Sequence, residues 1–154
     1  MPQTFCTAFI SSTTRDLKSH RQMVADILRN CGIQVVTQEH FGADSRTIRE
    51  IVQKAIEPCD VVICLIGTHL GQVPTDERER SYTQLEFDIA QALHKPVFRF
   101  IAAEEYLPDH PINQSLEHEQ LQERHRQAVM ECGHRWDLFA TKEELRELVY
   151  QASL

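Results

Sequence analysis

The segment "DVVICLIG", residues 60–67, opens on one acid and then runs through six apolar residues, Val61 to Ile66, before a glycine. The run does not alternate, so both of its faces expect cover. That is the signature of a central strand in a parallel sheet with helices on either side. Four weaker β-prone runs flank it: "FCTAFI" (5–10), "IQVVT" (33–37), "PVFRFIA" (96–102) and "RWDLFA" (135–140).

Helical periods fill the intervals. The first spans about Thr14 to Cys31, with Leu17, Val24, Ile27, Leu28 and Cys31 on one side and Gly32 as its terminator. A second, entered through "FGADS" (41–45), carries Ile48, Ile51, Val52, Ala55 and Ile56. A third starts at "SYTQLEFDIAQALHKP" (81–96), and a polar fourth covers roughly Asn113 to Cys132 with a narrow apolar stripe. The last follows Thr141, which precedes Glu144 at capping-box spacing. Strand–helix alternation repeated five times predicts one α/β domain over 1–154, a three-layer sandwich around a five-stranded, mainly parallel sheet. Its expected strand order is the flavodoxin-like 2-1-3-4-5.

Composition fits that reading. Of 154 residues, 42% are hydrophobic and 25% charged, ordinary values for a globular domain. No apolar run reaches membrane-spanning length, and "MPQTFCTAFISS" lacks the layout of a signal peptide, so a cytoplasmic protein without a membrane partner is expected. Five cysteines without a CxxC pair suit reduced, buried thiols. The net charge of −7 lies wholly after residue 60, which argues against a nucleic-acid partner.

In such sheets ligands settle beyond the carboxyl ends of the strands, where strand order reverses. Here that point lies between the first and third strands, so "SSTTRD" (11–16), "GTHLG" (67–71) and the start of the third helix converge. Ser11, Ser12, Thr13 and Thr14 offer hydroxyls at a helix start, and Arg15, Lys18 and Arg21 add positive charge. Thr13 and Asp16 have capping-box-like spacing; these residues also suit a helix start with no ligand. Gly67 and Gly71 permit close backbone approach or simply make turns, and His69 either orients a ligand or faces solvent. No Walker loop, dinucleotide fingerprint or metal-ligand spacing occurs. His118 and His125 are expected in solvent, Cys59 and Cys64 in the core, and Trp136 and Phe139 beneath the last helix.

One residue of the third helix fits badly. At about 100° per residue, Ala92, Leu85, Ile89, Tyr82, Leu93 and Ala90 share one arc, and Glu86 falls inside it. Gln84, Asp88 and Gln91 take the opposite side. A carboxylate on a buried face is costly without a partner or a purpose.

Together "FISSTTRDL", "FGA", "GTHLG" and "SYTQLEFDIAQALHKPVF" resemble a widespread, originally uncharacterised domain often found at the N-terminus of large NTPase- and repeat-containing proteins. Ser11, Ser12, Thr13, Asp16 and Leu17 match its first motif, Gly67 and Gly71 its second, and Ser81, Thr83, Glu86, Ala90, Lys95 and Pro96 its third. His69-Leu70 stands where the family carries an aromatic-led pair. The likeness covers about residues 5–102 closely and the tail loosely. That family is similar to TIR domains and, more distantly, to nucleoside 2-deoxyribosyltransferases, which use a glutamate after the third strand on an N-glycosidic bond.

The resemblance implies that Glu86 is catalytic and that NAD, whose nicotinamide leaves readily, is a substrate rather than a prosthetic group. Ser11, Ser12, Thr13, Arg15, Gly67, His69, Gly71, Ser81 and Tyr82 would then bind substrate, with no metal. It also implies an oligomerisation-controlled signalling or defence effector, with NTPase or repeat domains following in a full-length protein. Two other readings stand beside it. One is a non-catalytic module that assembles with its own copies or senses a nucleotide. The other is structural, with Glu86 paired to Arg15 or Arg99.

Overall fold

The computed structural model describes residues 5–37, 47–74, 80–132 and 136–152. Its elements are β1 (Thr7–Ser12), α1 (Lys18–Asn30), β2 (Gln34–Val36), α2 (Ile48–Ile56), β3 (Val61–Ile66), α3 (Tyr82–Ala92), β4 (Val97–Ala102), α4 (Leu116–Glu131), β5 (Trp136–Phe139) and α5 (Lys142–Gln151). All strand pairs are parallel and the order is β2-β1-β3-β4-β5, as the alternation predicts. "FGADS" lies outside the described residues.

Every residue of β3 is buried, because a helical layer covers each of its faces. On one side Ala8, Ile10, Ile63, Leu65 and Phe100 meet Leu17, Val24 and Leu28 of the α1 region and Leu145 and Val149 of α5. On the other, Phe9, Val62, Cys64, Ile66 and Ile101 meet Val52 and Ile56 of α2, Leu85 and Ile89 of α3, and Val129 of α4. Burial of these side chains, worth about 1.5–3 kcal/mol each, drives the three-layer arrangement.

Several local expectations change. Helix α1 begins at Lys18 rather than Thr14, because the Thr13 hydroxyl donates to the Asp16 carboxylate and the chain between them turns. The side chains of that supposed capping box bind each other instead of the backbone. Gly32 does terminate the helix, in the left-handed region at φ 82°. Helix α4 starts three residues later than expected, at a Ser115 cap that accepts from the His118 N–H at 3.1 Å. Trp136 packs against the α2–α3–α4 layer, its Nε1 donating to the Met130 carbonyl, and only Phe139 lies beneath α5. Cys59 and Cys64 are buried as expected, whereas Cys6 and Cys31 are exposed.

Polar groups join the apolar ones between α3 and α4. Gln84 is buried rather than outward, since its side chain completes a capping box with Ser81 and its amide reaches the Leu121 carbonyl. Gln122, His125 and Arg126 are buried opposite. His125 sits edge-on to Phe87, at 5.8 Å between ring centres, and the Arg99 guanidinium lies 5.2 Å over that same ring. His125 is therefore not the solvent residue that a polar helix suggests, while His118 is exposed.

Burial, with Arg80 and Arg126 nearby, drops the His125 pKa from 6.5 to about 4. A histidine kept neutral in the fold is protonated more readily in the unfolded chain, so stability falls as pH drops from about 6.5 to about 4. The loss should reach on the order of 2–3 kcal/mol at the acid end. Urea titrations of His125→Phe, which keeps the ring contact, should show a flatter acid limb. His20, also lowered by burial, keeps a residual slope. An unchanged limb would show that His125 is not held neutral.

Candidate functional site

Two loops and a helix start converge beyond the strand ends, and each is fixed by a specific contact. Ser81 caps α3, its hydroxyl accepting from the Gln84 N–H at 3.2 Å while Gln84 Oε1 accepts from the Ser81 N–H at 3.0 Å. That cap sets the rotation of α3 and thereby which side chains meet the sheet. Tyr82 is further held by its N–H, which donates to the Gln72 carbonyl at 3.0 Å.

The loops interlock around a buried carboxylate. Asp16 is fully buried and accepts from the Thr13 hydroxyl and, at 2.8 Å, from the phenol of Tyr106. Gly67 lies directly against it, and a methyl group there would collide with the carboxylate and the phenol. Gly71, at φ 80°, passes Thr13 so closely that a Cβ would meet its methyl at 2.7 Å. Both glycines thus serve close approach. Burial and the adjacent carboxylate push the Tyr106 phenol above its ordinary range, so it stays a donor.

These contacts frame a cleft of about 260 Å³. Ser12, Thr13, Arg15, His69, Gly71 and Tyr82 line it, with Thr14, Leu70, Gln72 and Thr83. Ser11, Gly67, Ser81 and Glu86 are buried and do not line it. Arg15 is exposed at the rim, and His69 is half-buried with its Nδ1 enclosed and unpartnered. A wider hollow of about 720 Å³ opens elsewhere, around His94, Lys95, Val97 and Leu148, and holds none of the candidate residues. Size alone does not favour it, because the loops at the strand-order reversal surround the smaller cleft.

Glu86 sits one turn below Tyr82, only 5% exposed, and accepts a 2.7 Å hydrogen bond from the Ser11 hydroxyl. Ser11 faces it because β1 and β3 pair Ser11 with Cys64 in register, beneath α3. Loss of solvation raises the Glu86 pKa from 4.5 to about 8, while the Ser11 bond and the charge of Arg21 pull it down. Glu86 thus holds its proton at neutral pH. The neighbouring Cys64 thiol is pushed up to about 12, by burial first and Glu86 second, and is inert. Neither expected arginine partner is placed to pair with Glu86: Arg15 is exposed, and Arg99 covers the Phe87 ring and donates to the Val97 carbonyl.

The sequence pointed to both loops of the cleft, though not to Thr68 or Gln72 within them, and it missed the segment that braces them. Tyr106, Gln114 and Gln122 hold the 67–70 loop from behind. No periodicity or motif marks them, and only the fold brings them near. Among the described residues no cluster of metal-ligating side chains occurs and no helix is long and apolar enough to cross a membrane.

A family model described as a domain of unknown function, DUF4062, matches residues 7–153. No curated protein matches. Among solved structures, the RPS4 and RRS1 TIR domain heterodimer superposes with a TM-score of 0.55 at 14% identity, over 94% of both chains. The TIR domains of the activated Roq1 resistosome, which directly recognises the effector XopQ, score 0.48 at 10% identity, over 96% of this chain and 83% of theirs. A short-chain flavodoxin associated with a non-canonical PDU bacterial microcompartment scores 0.49 at 14%, over 94% and 93%. The sheet order and the first of these likenesses establish the flavodoxin-like, TIR-like fold.

A carboxyl whose folded pKa lies above its unfolded one destabilises the fold as pH rises between the two values. Stability should therefore decline from about pH 4.5 to about pH 8 through Glu86. At pH 7 the cost is on the order of 3 kcal/mol. Glu86→Gln keeps an acceptor for Ser11 and cannot ionise. Chemical denaturation should find it as stable as wild type near pH 4.5 and more stable at pH 8. A variant less stable at neutral pH would mean that Glu86 anchors a buried ion pair.

Proposed function

The chain belongs to the DUF4062 family of domains of unknown function, and we propose that it is a TIR-like NAD glycohydrolase that releases nicotinamide. The observation that carries this reading is Glu86: a buried carboxyl with Ser11 as its hydrogen-bond donor, neutral at rest, one helical turn beneath the cleft wall formed by Tyr82 and Thr83.

The chemistry asks for little else. Cleaving a nicotinamide–ribose bond passes through an oxocarbenium-like state, and nicotinamide leaves without protonation. A carboxylate beside the ribose stabilises the developing charge or attacks the anomeric carbon. The ligand's own positive pyridinium, brought near Glu86, favours loss of its proton to solvent and so charges the catalyst only when substrate is present. The hydroxyls of Ser12, Thr13 and Thr14, with Arg15, suit the pyrophosphate, and Tyr82 and His69 suit a ring. Arg21, whose charge reaches Glu86, supports the ionised form.

Glu86 does not line the cleft in the unliganded chain, so the reading requires Tyr82 or its helix to shift. Self-assembly of a cytoplasmic, signalling or defence effector supplies such a trigger, and the RPS4 and RRS1 TIR domains are themselves seen as a heterodimer. The same burial favours a second reading, a nucleotide-sensing or assembly module in which Glu86 never meets a ribose.

Purified protein should consume NAD and release nicotinamide, measured by chromatography, with a specific rate that rises with protein concentration or crowding. Glu86→Gln should lower that rate by at least about a hundredfold, the scale of removing a charge-stabilising group. Equal inertness of both proteins under forced assembly, with NAD still bound calorimetrically, establishes the module instead.

A further inference from the structure

We propose that Gln114 is a positioning residue of the cleft: its carboxamide clamps the peptide groups on either side of His69 and so sets where that imidazole stands. The Leu70 N–H donates to Gln114 Oε1 at 3.0 Å, and Gln114 Nε2 donates to the Thr68 carbonyl at 2.7 Å. The chain bends at Thr68, and the Thr68 carbonyl and the Leu70 N–H both meet the one carboxamide. A primary amide carries one acceptor and one donor side by side, so a single side chain serves both groups in place of a backbone partner.

The surrogate is needed where it stands. The β3–β4 ladder ends with Ile66 against Ile101, and β4 stops at Ala102. Beyond it, the chain from Gly67 to Leu70 pairs with no strand among the described residues. Gln122 donates to the Gly67 carbonyl at 2.6 Å, the Thr68 N–H donates to the Tyr106 hydroxyl at 3.4 Å, and Gln114 holds the Thr68 carbonyl and the Leu70 N–H. Gln114 is itself placed by Ser115, the cap of α4, which follows it directly. The His69 side chain lines the cleft, while Gln114 lies outside that lining.

A structural brace and a positioning residue differ in what they move. In Gln114→Ala, hydrogen exchange followed by NMR should show the Leu70 amide opening about tenfold or more faster, the scale of one or two lost hydrogen bonds. The Ile63 amide in the central strand should keep its rate. Gln114→Glu retains the acceptor and loses the donor, so Leu70 should accelerate less than in Gln114→Ala. Leu70 exchange that is unchanged, or that rises in step with Ile63, overturns the clamp.

The ligand arm rests on the proposal that the cleft binds NAD. Calorimetric titration with NAD should give a dissociation constant about tenfold weaker in Gln114→Ala. An unchanged constant despite faster Leu70 exchange reduces Gln114 to a brace and overturns its positioning role. If wild type binds no NAD, the functional reading falls, and the exchange pattern still decides the clamp.

Discussion

A hydrogen bond from the Ser11 hydroxyl to the Glu86 carboxyl joins the first strand to the third helix inside a buried layer. It depends on two registers at once. The β1–β3 pairing must bring Ser11 beside Cys64, and the Ser81 cap must start α3 at the rotation that turns Glu86 inward. Slippage of β1 by one residue would send Ser11 to the opposite layer, since strand side chains alternate. A carboxyl among Cys64, Leu85 and Ile89 is tolerable only because it keeps its proton and finds one donor.

Asp16 poses the contrasting case, a carboxylate buried equally deeply yet fully served. Two hydroxyl donors meet it, and Gly67 leaves space for it. It holds the loops; Glu86 does not. A residue that braces gathers partners, whereas one with a raised pKa and a single donor carries a standing cost, the pattern that functional groups show more often than structural ones. The two acids of neighbouring motifs thus divide into a fastener and a candidate reagent.

The fold was legible because the apolar run of β3 and the five-fold alternation leave few topologies open. The cleft loops were legible for the same reason: strand order alone brings residues 11–16 and 67–71 together. What escaped was side-chain traffic that no period encodes. Thr13 and Asp16 have the spacing of a backbone cap, and only the packing of Gly67 and Tyr106 turns them toward each other. Gln84 and His125 belong on polar faces by sequence, yet the α3–α4 contact buries them because Gln84 is occupied by its cap and His125 by the Phe87 ring. Tyr106 and Gln114 lie 39 and 47 residues beyond Gly67, and nothing local marks them.

The cleft and the buried acid form one device if a ligand in the first changes the second. Side-chain carbon-13 NMR of Glu86, followed across pH with and without NAD, reads that coupling directly. The expected result is a midpoint near 8 in the free protein, as burial dictates, and a carboxyl signal that moves and titrates lower when NAD is bound. A midpoint near 4.5, or a signal indifferent to saturating NAD, would contradict it.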